Sequence, residues 1–388
     1  MKIKPDMKLT EKIAILRLIR TQNIGPVTLT TLLRRFKSGV SVIDHLPEMS
    51  KRSNISLKLY SQAKAEDEMA KVDKYGGQII VRGEKDYPPI LTYFDDAPGC
   101  LTCLGHPHLM QTNMLSIVGS RNASLNALNL TRNLAQEIGA AGYRIISGMA
   151  RGIDAAAHEG SLDTGSIAVL AGGIDQVYPK ENAKLYDRLK NEGLIISEMP
   201  FGMQPFARHF PIRNRIIASL GLGLLVIEAN LKSGSLITAH EAVDRGRDVM
   251  AIPGSPLDPR SKGCNKLLRE GAILVEHVED ILDVIKNRFL NARQPDMPLF
   301  SHMEKEEENQ RNKDAKITIE ELNQAKQVIM ELLSFDASPV DELVKQCHFS
   351  IPVISSALFE MELSGDVVRH YGNRISLVWK LDTNAKND

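Results

Sequence analysis

Positively charged side chains recur in or beside glycine turns through the middle of this chain. Arg121 closes Gly119-Ser120-Arg121, directly after the apolar run Leu115-Ser116-Ile117-Val118. Arg151 stands in Ser147-Gly148-Met149-Ala150-Arg151-Gly152, after Tyr143-Arg144-Ile145-Ile146. Lys180 follows the Gly172-Gly173 turn and precedes Asn182. Arg213 and Arg215 flank Asn214 in a stretch from Phe206 to Arg215 that also holds Arg208, His209 and Phe210, and no acid. A last loop, Ser233-Gly234-Ser235 with Thr238, offers hydroxyls and amides. Small residues let backbone N–H groups approach a ligand, and N–H groups at a helix start favour an anion. A guanidinium adds a bidentate grip on phosphate or lies flat on a base. Cations interleaved with rings suit an unpaired polynucleotide, each stacked base being worth roughly 1–3 kcal/mol. The candidate contacts are Gly119, Ser120, Arg121, Ser147, Gly148, Arg151, Gly152, Gly173, Lys180, Asn182, Phe210, Arg213, Asn214, Arg215, Ser233, Gly234, Ser235 and Thr238.

Other chemistry is poorly provided for. Asp154 and His158 share a helix face at i, i+4, but spacing supplies no third metal ligand. An acid in a first helical turn is explained by the helix dipole alone. Cys100 and Cys103, with His106 and His108, suggest zinc. They sit in a strand-like run, however, where residues three apart point to opposite faces. Glu198 and Glu228 end apolar runs without a neighbouring acid or histidine at the spacing of a metal nuclease. No Gly-x-Gly-x-x-Gly occurs at Gly119. No catalytic residue, metal or cofactor is expected. A nucleotide-binding hydrolase or nuclease on the same architecture is the alternative.

The elements that must carry these loops alternate. Strands are expected at Leu115–Val118, Arg144–Ile146, Ile167–Leu170, Leu194–Ile196, Leu224–Ile227, Val249–Ile252 and Ile273–Val275, separated by helices such as Ala127–Ala140, Ala183–Asn191 and Ala239–Arg245. Continuous apolar runs in this rhythm predict a doubly wound, mostly parallel α/β sheet covered on both faces. Its βα turns emerge at one edge, so the loops can converge on one crevice.

Flanking this unit, residues 1–75 read as helical, with an Asn23-Ile24-Gly25-Pro26 break resembling a helix-hairpin-helix. Such a hairpin can offer amides to a DNA phosphate. Residues 76–291 form the α/β unit, and 292–316 a charged linker, expected to be mobile. Residues 317–382 give three helices, Glu320–Leu333, Val340–Cys347 and Ile351–Leu363, then a ribbon turning at Tyr371-Gly372-Asn373: a winged helix. Its third helix offers Ser350, Ser355, Ser356 and Glu360 but no Lys or Arg on its expected outer face. That favours packing or protein contact over duplex binding.

At 388 residues the chain allows two or three domains, and 48 basic against 48 acidic residues leave no bulk charge, so an anion-binding surface must be local. Met1–Thr10 lacks the apolar core of a signal peptide, and no run nears the roughly 18 apolar residues of a membrane span. Four cysteines make no disulfide framework, so a cytoplasmic location is expected.

Ile117-Val118-Gly119-Ser120-Arg121, Ser147 to Asp154, Phe210-Pro211-Ile212-Arg213-Asn214-Arg215-Ile216-Ile217, Ser233 to Ala239, Ala251-Ile252-Pro253-Gly254 and Gly263-Cys264-Asn265 together resemble the DNA-processing protein A (DprA/Smf) family. The match covers residues 80–290 and is specific, because separate motifs agree in order and spacing. The resemblance implies an extended Rossmann-like domain, a helical (helix-hairpin-helix or SAM-like) N-terminal domain and a winged-helix C-terminal one. It implies sequence-independent binding of single-stranded DNA, to which the Lys180 loop contributes, with no catalysis. It further implies a homodimer through the Rossmann-like domain that protects incoming DNA during natural transformation and loads the RecA recombinase.

Overall fold

The continuous apolar runs become the inner strands of a nine-stranded sheet, in a computed structural model that describes residues 7–52, 58–292, 318–370 and 373–378. The strands are β1 (Gly77–Val81), β2 (Cys100–Gly105), β3 (Met114–Gly119), β4 (Arg144–Ser147), β5 (Ser166–Leu170), β6 (Leu194–Ser197), β7 (Gly223–Ile227), β8 (Asp248–Ala251) and β9 (Ile273–Leu274). They lie in the order β1-β2-β6-β5-β4-β3-β7-β8-β9. From β6 to β9 every neighbour is parallel, whereas β1–β2 and β2–β6 are antiparallel.

Strand β3 shows why both faces must be apolar. Met114 and Val118 join one core, and Leu115 and Ile117 the other, as period-two alternation requires. Ser116 is buried among them because its hydroxyl donates to the Ile217 carbonyl at 2.7 Å. Helices α5 (Leu125–Ala140) and α6 (Ile153–Ser161) cover one face, while α8 (His209–Leu220), α9 (Gly234–Asp244) and α10 (Lys262–Arg269) cover the other. Between these in the chain lies α7 (Ala183–Glu192), and α11 (Val278–Ala292) closes the unit. Helix α9 starts five residues before the expected Ala239, because the Ser233 side chain accepts from the Ser235 amide and caps it.

Four helices precede the sheet: α1 (Leu9–Ile19), α2 (Pro26–Phe36), α3 (Gly39–Arg52) and α4 (Gln62–Lys74). Their core is continuous with Ile79, Val81 and Cys100 of the antiparallel strands. Arg20, just past the end of α1, stitches the seam, reaching Glu68 at 2.9 Å and the Glu198 carbonyl at 3.0 Å.

After the sheet come α12 (Ile319–Leu332), β10 (Ser338–Pro339), α13 (Val340–Gln346), α14 (Ile351–Ser364), β11 (Val367–His370) and β12 (Arg374–Leu377). These make three helices and a β10-β12-β11 sheet, a winged helix. The linker expected at 292–316 lies outside the described residues, apart from Ala292; so do Tyr371 and Gly372 of the expected ribbon turn. Among the described residues no helix is long and apolar enough to cross a membrane.

Candidate nucleic-acid interface

The loops that leave β3, β4, β5 and β6 at their C-terminal ends enclose one cleft of about 470 Å³. Each contributes chemistry to its lining: Arg121 after β3, Gly148 and Arg151 after β4, Tyr178 and Lys180 after β5, Phe210 and Arg213 after β6. Four cations from four separate segments thus meet in a chain of zero net charge. Glu181 is the carboxylate in the lining, and a cleft in which cations outnumber acids concentrates the field on a polyanion.

Phe210 is the organising ring. The Arg121 guanidinium lies 5.4 Å from its centroid and that of Arg213 5.8 Å. Tyr178, 47% exposed, meets it edge-on at 5.8 Å. Arg121 and Lys180 are exposed. Arg151 stands 3.8 Å from Glu181, an exposed pair too weak to hold the guanidinium from a phosphate.

Arg213 is different, being only 5% exposed. It faces the Asp154 carboxylate at 3.9 Å, and its Nε has no hydrogen-bond partner. Burial pulls it down to about 10, Asp154 opposing and Arg121 adding to the fall, so it stays charged at neutral pH. Burial likewise raises Asp154, against Arg213 and the amides of Ala150 and Gly148. Gly148 is required here: a Cβ would fall inside the Arg213 guanidinium.

In the loop after β4 and at the start of α5, the chain's own carboxylates take backbone amides. Asp154 accepts from the amides of Gly148 and Ala150, at 3.2 and 3.3 Å. Glu228 accepts from the Ser124 amide at 2.8 Å and its hydroxyl at 2.6 Å, at the start of α5.

Several sequence candidates do not line the cleft. Ser147 is buried, its hydroxyl donating to the Ile117 carbonyl. Arg215 is buried against Glu198 and the Asp96 carbonyl. Residues two apart on a helix point to opposite sides, which sends Arg213 inward to the cleft and Arg215 away. Asn182 supports the rim by donating to the carbonyls of Met149 and Ala150. Gly119, Gly152 and Gly173 serve close backbone packing, a Cβ at each colliding with a carbonyl of Ile227, Ser120 or Pro200. The Ser120 hydroxyl accepts from the Asn122 amide, and Asn214 is half-buried beside the cleft-facing Arg213. Ser233, Gly234, Ser235 and Thr238 follow β7, beyond β3, so the five loops do not share one crevice. Tyr178 and Gln176 were missed, although an aromatic just before Pro179-Lys180 was a readable signal.

The rival chemistries come apart in space. Cys100 and Cys103 project into different cores. The His158 ring bonds to the Ser166 hydroxyl at 2.7 Å, away from Asp154's partners. Glu198 and Glu228 end strands separated by three others. Among the described residues no group of three or more His, Cys, Asp or Glu is arranged to hold a metal.

Known proteins bear on this geometry. Residues 78–286 match the family model described as DNA recombination-mediator protein A; residues 10–70 match a DprA-like N-terminal HHH domain and 313–373 a DprA winged helix domain. The Escherichia coli Smf protein is 34% identical over 302 residues, 77% of each chain. The Streptococcus pneumoniae DNA processing protein DprA is 44% identical over 198 residues, half of this chain and 70% of that one. A solved structure of DprA from Streptococcus pneumoniae superposes with a TM-score of 0.59 at 32% identity, covering 73% of this chain and 98% of that one. A Helicobacter pylori DNA processing protein A, solved for its single-stranded DNA binding mode, gives a TM-score of 0.51 at 27% identity, over 55% and 96%. With three domain models matched in order and a relative 34% identical over 77% of each chain, the chain belongs to the DNA-processing protein A (DprA/Smf) family.

Proposed function

We propose that this chain is a DNA recombination mediator that holds single-stranded DNA in the Phe210 cleft without base preference. The observation that carries the reading is the ring of Phe210 between Arg121 and Arg213, with Arg151, Lys180 and Tyr178 on the same rim. Every base has a π-face, so ring stacking is sequence-tolerant, and the guanidinium groups take the backbone. Paired bases cannot splay onto Phe210, which favours single strands over duplex. Family membership supports the same role, as does the relative solved for its single-stranded DNA binding mode.

In the finer reading, the protein works in the cytoplasm as a homodimer through the Rossmann-like domain, protects incoming strands in natural transformation and loads RecA onto them. The hydrolase alternative is disfavoured because Glu198 is engaged by Arg215 and Glu228 by Ser124, on distant strands. The test is a fluorescence titration with oligothymidine, a mixed-sequence strand and a duplex, followed by RecA filament formation on strands coated with single-strand-binding protein. Similar affinity for both single strands, weaker duplex binding and faster filament growth are expected. Preference for duplex, or turnover of strand or nucleotide with a divalent metal, would contradict the proposal.

A further inference from the structure

Two arginines of α8 are almost equally buried and very unequally held. Arg213 is 5% exposed and Arg215 4%. Arg215 donates to the Glu198 carboxylate and to the Asp96 carbonyl. Arg213 has its carboxylate, Asp154, at 3.9 Å, outside hydrogen-bond reach, and its Nε is without a partner. A guanidinium is a rigid fork of N–H donors, and burying such donors unmet is costly. The looseness at Arg213 therefore calls for an explanation that Arg215 does not need.

Asp154 is committed elsewhere. It stands in the first turn of α6, 6% exposed, and its Oδ2 accepts from the amides of Gly148 and Ala150 at 3.2 and 3.3 Å. The same Oδ2 is the atom that faces Arg213. The two amides thus tether the carboxylate to the loop after β4. There it is too far from Arg213 for a direct bond and near enough to be felt as charge. Gly148 separates the pair, since a Cβ on it would strike both the guanidinium and Oδ2. Arg213 and Gly148 line the cleft, whereas Asp154 does not. A strand phosphate and Asp154 therefore approach one guanidinium from different sides, and two anions sharing a buried cation repel each other over a few ångströms.

We propose that Asp154 is a built-in counter-anion that competes with the strand's phosphate for Arg213, weakening the grip so that the strand leaves readily. Asp154 acts through Arg213 and is a positioning residue. The inference rests on the reading of the Phe210 cleft as the strand site and adds to it what sets the rate of release. A mediator that passes its strand on requires that release.

The test is Asp154→Asn in the full chain. The amide oxygen of Asn keeps an acceptor for both backbone amides while the charge is removed. Labelled oligothymidine, chased with unlabelled strand, should dissociate roughly ten times more slowly. Simple damage to the loop would make it dissociate faster. The slowing should disappear when Arg213→Ala is added, because no cation then draws a phosphate to that end of the cleft. Arg213→Ala alone examines the cleft itself: binding like the wild type would sink that reading of Arg213 and this inference with it. Weaker binding by Arg213→Ala, combined with wild-type or faster release from Asp154→Asn, would overturn the counter-anion alone. So would slowing that survives in the double variant. If Asp154→Asn does not fold unbound, refolding with oligothymidine replaces the chase. The strand's phosphate then supplies the missing anion and should restore the fold; failure to do so would count equally against the proposal.

Discussion

Arg213 lies across the backbone of Gly148, leaving no room there for even a methyl group. The glycine of the β4 loop therefore exists to let a guanidinium from α8 reach the cleft, and it makes a testable pair with it. Gly148→Ala should weaken single-strand binding about as much as Arg213→Ala, by the roughly 1.5–3 kcal/mol of a lost charge-assisted contact. Fluorescence anisotropy with oligothymidine checks this. Wild-type affinity in Gly148→Ala would mean that Arg213 has no direct part in binding.

Arg121 is exposed, so its loss should leave folding intact. Arg121→Ala should reduce affinity equally for strands of different sequence and lower the salt slope by about one phosphate contact. A titration series in rising salt measures both. An unchanged slope would assign Arg121 to Phe210 alone rather than to the backbone.

Arg215 sits two residues from Arg213 yet serves stability. Arg215→Ala leaves Glu198 buried without its partner, which should cost about 3–5 kcal/mol in denaturant unfolding. The folded fraction should bind oligothymidine as the unaltered protein does. A binding defect without a stability loss would reverse the assignment of the two arginines.

His158 offers a pH signature. Burial, reinforced by Arg213, pulls its imidazole from 6.5 to about 3. Between these values the unfolded chain takes up a proton that the folded chain refuses. Its stabilising contribution is therefore complete above 6.5 and is lost as pH falls, by about 1.4 kcal/mol per pH unit. Urea midpoints of wild type and His158→Gln across pH 4 to 7 should diverge by that slope. Parallel curves would mean that His158 is protonated in the fold.

Much of the architecture could be read in the chain. Runs such as Ile167–Leu170 and Leu224–Ile227 are apolar at every position because both faces of their strands are covered, and only a central sheet requires that. The cations of the cleft were legible because Arg121, Arg151 and Lys180 follow glycine turns and Arg213 stands in an acid-free stretch of cations and rings. What escaped were the pairings that long-range folding sets. Nothing near Asp154 or Glu228 says that these carboxylates take the amides of Gly148, Ala150 and Ser124. The serine loop after β7 looked equivalent to the others, since a cap and an anion site use the same donors. Arg213 and Arg215 both stood among the sequence candidates, although helical periodicity sends residues two apart to opposite sides. The packing of Leu363 into the N-terminal core joins residues more than three hundred positions apart, beyond any local pattern.

The most direct measurement is a crystal structure of the protein with a short oligothymidine bound. The strand should run through the cleft with phosphates at Arg121, Lys180 and Arg213 and a base against Phe210. A strand lying instead along Ser233 and Gly234, or at the N-terminal hairpin with the Phe210 cleft empty, would contradict the account.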